Sequence, residues 1–216
     1  FQNFFLKKNK RYYSSYFSKT EGDNEALEFV KKITNTKIIN YKPLASTENS
    51  LRDTVGIIIA ASGNEKRWSI KNYLKVIQFL KEKNFKKFLI ISGLDQSKEE
   101  ELINENFRDT IDATFTADKK INDVIPYLKR CKFCIGNDTG FSHLSVNLDI
   151  ETIVIQGDCP PQTYSKLLKH IDIEPDVTRS STSIHTIKAE KVLDELSNFL
   201  NRRGGRVVEG ARLESV

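Results

Sequence analysis

Residues 133–148, Phe-Cys-Ile-Gly-Asn-Asp-Thr-Gly-Phe-Ser-His-Leu-Ser-Val-Asn-Leu, contain the pattern that decides the fold. The apolar residues 133–135 are typical of the end of a buried strand, and residues 141–148 have the spacing of a helix. Gly136 and Gly140 bound the polar turn between them and allow a tight backbone there. The stretch therefore predicts a strand, a tight turn and a helix in direct succession.

The same succession repeats on both sides of this stretch. Short apolar runs that suit strands buried on both faces lie at residues 55–61, 88–91, 111–115 and 152–155. Apolar residues with helical spacing lie between or after them, at residues 70–83, 97–106, 121–131 and 187–200. Strands that alternate with helices in this way form a parallel sheet with right-handed crossovers. We therefore predict an α/β fold, a Rossmann-like parallel sheet with helices on both faces.

Composition and charge are typical of a soluble globular protein. The chain has 216 residues, 38% hydrophobic content and a mean hydropathy of −0.45, and is long enough to bury a core. No stretch approaches the roughly 20 apolar residues of a membrane span. The net charge of +5 is spread thinly along the chain, which argues against nucleic acid as a partner.

The chain has three cysteines, and this odd number in a long chain argues for a reducing compartment. Cys131 and Cys134 have the spacing of a redox or zinc motif, but they lie in an apolar run without a second ligand pair. We therefore interpret them as buried small hydrophobic residues, and we expect no metal site.

The turn at residues 136–140 is a candidate phosphate site, because ligands of such sheets bind beyond the carboxyl ends of the strands. Thr139 offers a hydroxyl, and the amide of Gly140 stands at a helix start whose dipole favours an anion. His143 lies one turn further on the same face, and Asp138 is suited to accept hydrogen bonds from sugar hydroxyls or amides. The alternative is that Asp138 caps the helix and His143 only packs, and the spacing leaves both interpretations open.

A second polar cluster, residues 62–69, follows the strand at 55–61 and precedes a helix. Lys66 and Arg67 place positive charge where a diphosphate would lie, although a solvated turn is the alternative. The single tryptophan, Trp68, is better suited to packing the helix onto the sheet than to stacking on a ligand.

Two further clusters follow other strands. Asp95, two residues after Gly93, is well placed to bond ribose hydroxyls, although aspartate is also an ordinary residue at a helix start. Residues 157–165, which contain Pro160 and Pro161, form a rigid loop that could wall the same pocket.

Together, these turns resemble the C-terminal donor-binding half of glycosyltransferase family 9, the ADP-heptose:lipopolysaccharide heptosyltransferases. The order and spacing agree across residues 55–165, roughly half of the chain. The matching residues are Lys66-Arg67-Trp68, Gly93 with Asp95, Asp138-Thr139-Gly140 with His143, and Gly157 before a proline-containing loop.

The resemblance implies the C-terminal domain of a GT-B fold and the transfer of a heptose from an ADP-heptose-like nucleotide sugar to lipopolysaccharide core, without metal or other cofactor. It assigns the donor-binding roles by position. Ser62 and Lys66 would contact the diphosphate and Asp95 the ribose. Thr139 and Gly140 would bind phosphate through hydroxyl and amide, and Asp138 and His143 would lie near the heptose. Donors on the leaving diphosphate amount to electrostatic catalysis.

The sequence also departs from the family pattern. Ile59-Ala60 and Ser69 stand where the family has Pro-Gly before and Pro after the Lys-Arg-Trp turn, so we expect this loop to have a different shape. The family's proposed general base is an aspartate of the N-terminal acceptor domain, which we expect to be mostly missing. No catalytic residue is therefore assigned, and we expect the chain to bind nucleotide weakly and not to turn over.

The predicted organisation has three parts. We expect residues 1–50 to be a remnant of the acceptor domain plus a linker, residues 51–200 to be the Rossmann-like nucleotide-sugar-binding domain, and residues 201–216 to be a non-native or disordered tail. Basic and aromatic residues interleave in residues 1–20, which suits a membrane surface, although we favour the severed end of a larger domain.

The resemblance also implies partners and a location. The partners are a nucleotide-sugar substrate and a lipid-linked saccharide acceptor, and the location is cytoplasmic with peripheral contact at the inner membrane. Two alternatives stay open, a glycosyltransferase that uses another nucleotide sugar and a non-catalytic Rossmann-like nucleotide-binding module.

Overall fold

The computed structural model of the chain describes residues 52–61, 63, 66–116, 119–162 and 164–213. Residues 1–50, which we expect to be the acceptor-domain remnant and linker, lie outside the described residues, and so does Ser62. Strands and helices follow one another along the described residues, and every pair of neighbouring strands is parallel.

The strands form a six-stranded sheet in the order β3-β2-β1-β4-β5-β6. This is the strand order of doubly wound dinucleotide-binding domains, and it confirms the predicted Rossmann-like parallel sheet. The strand bounds are β1 Thr54–Ile58, β2 Phe88–Ser92, β3 Ile111–Thr116, β4 Cys131–Asn137, β5 Thr152–Ile155 and β6 Leu168–Ile171.

Helices connect the strands as the apolar spacing predicts. Their bounds are α1 Ile70–Glu82, α2 Ser97–Phe107, α3 Ile121–Leu128, α4 Gly140–Asn147 and α5 Ala189–Leu213. Short 3-10 helices lie at Arg108–Thr110 and Ser183–Thr186.

The helices cover both faces of the sheet, as predicted. Side chains alternate along each strand, so Ile57 and Ile58 of β1 belong to different core clusters. The cluster around Ile57 contains buried residues of α1, α2 and α5, and the cluster around Ile58 contains those of α3 together with residues of α4. Strands buried on both sides in this way read as continuous apolar runs, which is why the sequence reveals them.

Gly136 is required by the close approach of β4 to β1. A Cβ atom at this position would stand 2.1 Å from the carbonyl oxygen of Ile58, which no side chain can tolerate. Gly157, after β5, is under a similar constraint, because its Cβ would stand 2.3 Å from the amide nitrogen of Ile184. At Gly140 a Cβ would meet nothing within 4 Å, so packing does not demand glycine there.

The structure differs from the sequence-based prediction in three places, one missed strand and two helix ends. The sequence gives no sign of β6, because Lys169 and His170 interrupt its apolar pattern and only its two end residues, Leu168 and Ile171, are fully buried. Helix α3 ends at Leu128 rather than at Cys131, which instead begins β4 with its thiol buried.

The third correction concerns the last helix, α5, which extends past the predicted end at Leu200 to Leu213. It therefore includes most of the segment that we expected to be a tail. Gly204 and Gly205 lie within this extension, and glycine disfavours a helix by about 1 kcal/mol per residue, which explains why sequence patterns did not predict it.

Candidate functional site

Asn137, the last residue of β4, connects the loops of the site through buried hydrogen bonds. Its side chain is fully buried, and its Oδ1 accepts hydrogen bonds from the backbone N–H of Trp68 at 3.0 Å and from the Tyr73 hydroxyl at 2.9 Å. Its Nδ2 donates to the carbonyl of Ile59 at 2.7 Å. These bonds fasten the end of β1 and the start of α1 to the end of β4, so the two loops that carry the candidate phosphate contacts have a fixed spacing.

Trp68 has the packing role that its sequence context predicts. Its ring is buried, its indole N–H donates to the carbonyl of Ile187 at 2.7 Å, and its edge meets the Tyr73 ring with centroids 5.1 Å apart. The tryptophan therefore anchors the loop of Lys66 and Arg67 and is not available for stacking on a ligand.

The start of α4 is capped by Thr139. Its Oγ1 accepts from the N–H of Phe141 at 3.1 Å, and its carbonyl accepts from the N–H groups of Ser142 and His143 at 3.0 and 3.2 Å. Thr139, not Asp138, is thus the helix cap, which rules out the interpretation of Asp138 as a capping residue. Of the first-turn donors of this helix, the N–H of Gly140 has no partner within the described part of the chain, so it is available to an anion.

Asp138, His143 and Tyr164 form a hydrogen-bonded chain beside this helix start. His143 Nε2 lies 3.0 Å from Asp138 Oδ1, and His143 Nδ1 lies 2.7 Å from the Tyr164 hydroxyl. Burial alone would raise the pKa of Asp138, but the hydrogen bond and charge of His143, with His170 and Lys66 nearby, outweigh it and lower the pKa. Asp138 is therefore a carboxylate held in a fixed position.

The Cys159 thiol lies on the other side of Asp138, with Sγ 3.8 Å from Asp138 Oδ2. Burial, with the nearby carboxylates of Asp158 and Asp138, raises the pKa of this thiol to about 12. The group therefore stays a neutral thiol and can only be a weak donor toward the carboxylate.

A cavity of about 630 Å³ opens above these residues, at the carboxyl ends of β1, β2 and β4. This is the point where the strand order changes direction and where ligands of doubly wound sheets bind. The residues that line the cavity are Ala60, Ala61, Arg67, Gly93, Leu94, Asp95, Ile121, Thr139, Gly140, Phe141, His143, Leu144 and Asn147.

Arg67 and Asp95 meet in the wall of this cavity. The Arg67 guanidinium Nη2 donates to Asp95 Oδ1 at 2.5 Å, and the hydrogen bond from Arg67 lowers the pKa of Asp95. The Asp95 side chain is 70% exposed, so the pair adds little to stability but leaves a carboxylate facing the opening.

Lys66 lies beside the cavity and is paired with Asp158. Its Nζ is 2.9 Å from Asp158 Oδ2, and the hydrogen bond to this carboxylate raises the pKa of Lys66. Asp158 belongs to the loop between β5 and β6, so this ion pair joins that loop to the loop before α1.

The structure brings most of the predicted donor-binding residues together. Asp95, Thr139, Gly140 and His143 line the cavity, and Lys66 and Asp138 lie at its side. Ser62 is outside the described residues. Whether the others bind a nucleotide sugar stays a prediction.

Sequence reasoning missed several residues of the site. The apolar cavity walls Leu94 and Ile121 are 68% and 58% exposed, and nothing in their spacing distinguishes them from ordinary surface residues. Asp158 and Tyr164 lie in the loop at 157–165 that the sequence does indicate, but the sequence cannot say which members of the loop face the site.

Other groups of the described chain bear on the remaining predictions. Cys131 and Cys134 are free and fully buried, which confirms their interpretation as core residues. No group of three or more His, Cys, Asp or Glu side chains among the residues described could hold a metal ion. No helix in the same part of the chain is long and apolar enough to cross a bilayer.

The sheet order, the capped helix start and the cavity at the switch point together define a Rossmann-like domain with a cavity at its ligand-binding edge. The family model described as glycosyltransferase family 9 (heptosyltransferase) matches residues 10–189. The chain therefore belongs to glycosyltransferase family 9, as its motifs indicate.

Solved structures of the same family share the fold. The family 9 glycosyl transferase of Veillonella parvula DSM 2008 has a TM-score of 0.67 and 14% identity, covering 85% of this chain and 61% of that one. The E. coli heptosyltransferase WaaC with ADP has a TM-score of 0.57 and 17% identity, with coverages of 83% and 50%. E. coli ADP-heptose lipopolysaccharide heptosyltransferase II has a TM-score of 0.58 and 18% identity, with coverages of 72% and 48%.

Identities this low establish the fold alone. The chain spans about half the length of the two E. coli enzymes. No curated protein matches the chain.

Proposed function

We propose that this chain is the donor-binding part of a heptosyltransferase-type enzyme that uses an ADP-heptose-like nucleotide sugar and acts on lipopolysaccharide core. The observation that carries the proposal is the cavity at the switch point, which is bounded by a free helix-start amide, a carboxylate and apolar walls. Its volume of about 630 Å³ lies in the range of small-molecule sites. Family membership supports the reaction class, and WaaC is described with ADP and with ADP-2-deoxy-2-fluoro heptose.

The arrangement suggests how such a donor would lie. The diphosphate would lie at the start of α4, where the Gly140 amide, the Thr139 hydroxyl and the helix dipole favour negative charge. Lys66 stands at the side of this position and would exchange its bond to Asp158 for a phosphate oxygen. Asp95, held by Arg67, would accept from the ribose hydroxyls inside the cavity.

The sugar would lie on the side of Asp138 and His143. Asp138 is ionised, and one of its oxygens is held by His143, so the other can accept from a sugar hydroxyl. The leaving nucleoside diphosphate gains negative charge as the glycosidic bond breaks. Donors that are already in place at the start of α4, together with Lys66, would stabilise that charge without reorganisation. We assign no described residue as the base that deprotonates the acceptor.

The proposal extends to the partners and location. A lipid-linked saccharide would be the acceptor, no metal or other cofactor would take part, and the enzyme would work in the cytoplasm with peripheral contact at the inner membrane. These points rest on the family resemblance, since the acceptor side of the enzyme lies outside the described residues.

The identity of the nucleotide decides between this proposal and its first alternative. Leu94 and Ile121 offer apolar contact to a base but do not distinguish one base from another. Calorimetric titration of the chain with ADP, UDP and GDP tests the point, and we expect a clear preference for ADP. A preference for UDP or GDP would favour a glycosyltransferase of other donor specificity, and the absence of binding to all three would contradict the donor site.

The second alternative, a non-catalytic nucleotide-binding module, is tested by two variants. We expect Lys66→Ala to weaken binding of ADP and Asp138→Ala to weaken binding of ADP-heptose more than that of ADP. If both variants bind both ligands like the unaltered chain, the proposed placement of the donor is wrong and the non-catalytic module is favoured.

A further inference from the structure

We propose that Tyr164 is a positioning residue for the sugar end of the donor site. Its hydroxyl engages Nδ1 of His143 and so fixes the ring with Nε2–H directed at Asp138. The inference rests on the proposed function, which places the donor sugar at Asp138. Tyr164 lies in the loop between β5 and β6, outside the sequence motif at the start of α4. That motif therefore does not predict a role for it.

The first step is the direction of the two hydrogen bonds. An ionised carboxylate can only accept, so the 3.0 Å contact between Asp138 Oδ1 and His143 Nε2 requires the proton on Nε2. In the neutral ring Nδ1 then carries a lone pair, and the Tyr164 hydroxyl at 2.7 Å is the donor to it. For the neutral ring, the chain of bonds therefore runs in one direction, from Tyr164 through His143 to Asp138.

The second step is that Tyr164 approaches on a fixed loop. Gln156 Nε2 donates to the carbonyl of Pro160 at 3.1 Å, and the His170 ring nitrogen Nε2 lies 2.9 Å from the carbonyl of Gln162. These contacts hold the backbone on the N-terminal side of Tyr164. The tyrosine hydroxyl can thus restrain the imidazole, because it is itself restrained.

The third step is the effect on Asp138. One carboxylate oxygen is occupied by His143, and the other, within the part of the chain that the structure describes, has only the Cys159 thiol at 3.8 Å. The second oxygen is therefore the atom left to accept a sugar hydroxyl, and its direction depends on the orientation of the His143 ring. Lys66 and His170 are the other charged groups near Asp138. They lower the pKa of its carboxyl group but do not set the orientation of the His143 ring.

Removal of the tyrosine hydroxyl tests the inference. We expect Tyr164→Phe to weaken the binding of ADP-heptose to the full chain by about three- to tenfold, the scale of one hydrogen bond. ADP, which lacks the sugar, should bind with unchanged affinity. The control is Tyr127→Phe, which removes a hydroxyl from α3, where the ring packs on Phe115 with centroids 4.6 Å apart, outside the cavity lining.

A second measurement needs no ligand. The chain has three histidines, so their ring nitrogens can be assigned by nitrogen-15 NMR. We expect the neutral form of the His143 ring to be a single tautomer protonated on Nε2. In Tyr164→Phe, we expect a mixture of the two tautomers, and in Tyr127→Phe no change.

The outcomes separate this inference from the proposed function. Equal losses of ADP and ADP-heptose affinity in Tyr164→Phe would mean a general structural role, and no loss of either would mean no role. Both results contradict the inference, while ADP binding by the unaltered chain would still support the donor site. If the unaltered chain binds neither ligand, the proposed function fails, and the histidine tautomers still decide whether Tyr164 positions His143.

Discussion

At the level of single residues, the two cations of the site already have carboxylate partners. Lys66 pairs with Asp158 at 2.9 Å and Arg67 with Asp95 at 2.5 Å. The two pairs differ in their exposed fraction, since the Lys66 side chain is 42% exposed and that of Arg67 is 11% exposed. Under our proposal, Lys66 would leave its partner for a phosphate, and Asp158 would compete with the ligand for it.

This competition gives a first prediction. Asp158→Asn should raise the affinity for ADP by about two- to fivefold, because partly exposed ion pairs contribute up to about 1 kcal/mol. Isothermal titration calorimetry of the variant measures the change. Asp176→Asn, which removes one charge from an exposed residue, is the control and should bind ADP like the unaltered chain. A lower affinity in Asp158→Asn would show that Asp158 supports the site instead of competing for Lys66.

Gly140 gives a second prediction at the same scale. The position has open space and lines the cavity, so Gly140→Ala should fold with an unchanged or slightly higher melting temperature, because alanine favours a helix. The added methyl group would occupy the place of the phosphate, and ADP affinity should fall about tenfold, or 1.4 kcal/mol. Thermal unfolding and calorimetry measure the two effects.

Gly136→Ala is the contrasting variant. Its methyl group would meet the backbone of Ile58, so it should lower the melting temperature whether or not ADP is present. If Gly140→Ala is also unstable, or if it binds ADP normally, the placement of the phosphate at this helix start is wrong.

At the level of elements, one buried side chain joins β4, β1 and α1. Asn137→Ala would leave the Trp68 N–H without its hydrogen-bond partner in the core, while the Ile59 carbonyl would keep the bond from Gln96 at 3.0 Å and the Tyr73 hydroxyl only the longer bond to the Ile58 carbonyl at 3.4 Å. One buried unpaired group costs about 1–3 kcal/mol, and the lost bonds to the other two groups and the space left by the side chain add to it, so we expect a loss of about 2–4 kcal/mol. Urea denaturation measures it.

Asn122→Ala, at an exposed position near the start of α3, is the matched control and should change stability by less than about 0.5 kcal/mol. A loss this small for Asn137→Ala would mean that the loops of the site are held by packing alone.

The elements also show what the sequence can and cannot predict. Val55, Phe88, Phe133 and their neighbours are buried on both sides, so their strands produce continuous apolar runs and were predicted. Strand β6 was not predicted, because it lies at the edge of the sheet, where the exposed Lys169 interrupts the run of apolar residues. The pattern of β6 is too weak to predict a strand, although β3, at the other edge of the sheet, was predicted and has no fully buried residue.

The site follows a similar rule. Asp138, Thr139 and Gly140 were predicted as a unit because they are adjacent in the sequence and follow a recognisable strand. Tyr164 was not predicted as the hydrogen-bond partner of His143, because it lies in a different loop that is distant in the sequence. Likewise, the sequence left both a capping and a binding role open for Asp138, and only the hydrogen bond from Phe141 to Thr139 decides that Thr139 is the cap.

At the level of the whole molecule, one histidine makes stability depend on pH. Burial lowers the pKa of His170 below its ordinary value of 6.5, although the hydrogen bond to Gln162 acts in the opposite direction. The unfolded chain therefore binds a proton more readily than the folded one. Stability from this group is complete above about pH 6.5 and decreases as the pH falls from there through the lowered pKa.

We therefore expect the free energy of unfolding to decrease as the pH falls from about 6.5 to about 5, and His170→Gln to make this decrease shallower. Glutamine retains a donor for the Gln162 carbonyl but does not titrate. Urea denaturation across the pH range measures the slope. His185→Gln, at an exposed position, should leave the slope unchanged, and an unchanged slope in His170→Gln would show that other groups control the acid sensitivity.

The position of the cavity at the switch point has a consequence for the rate at which the protein is degraded in the cell. Its walls come from the ends of β1, β2 and β4, which lie far apart in the chain and meet only when the central strands are assembled. Under our proposal, a shorter segment would lack part of the nucleotide site, so binding of the nucleotide and global folding would be linked. Under our proposal, donor supply would therefore set the half-life of the protein, because each occupied molecule is withdrawn from the unfolded pool that proteases degrade.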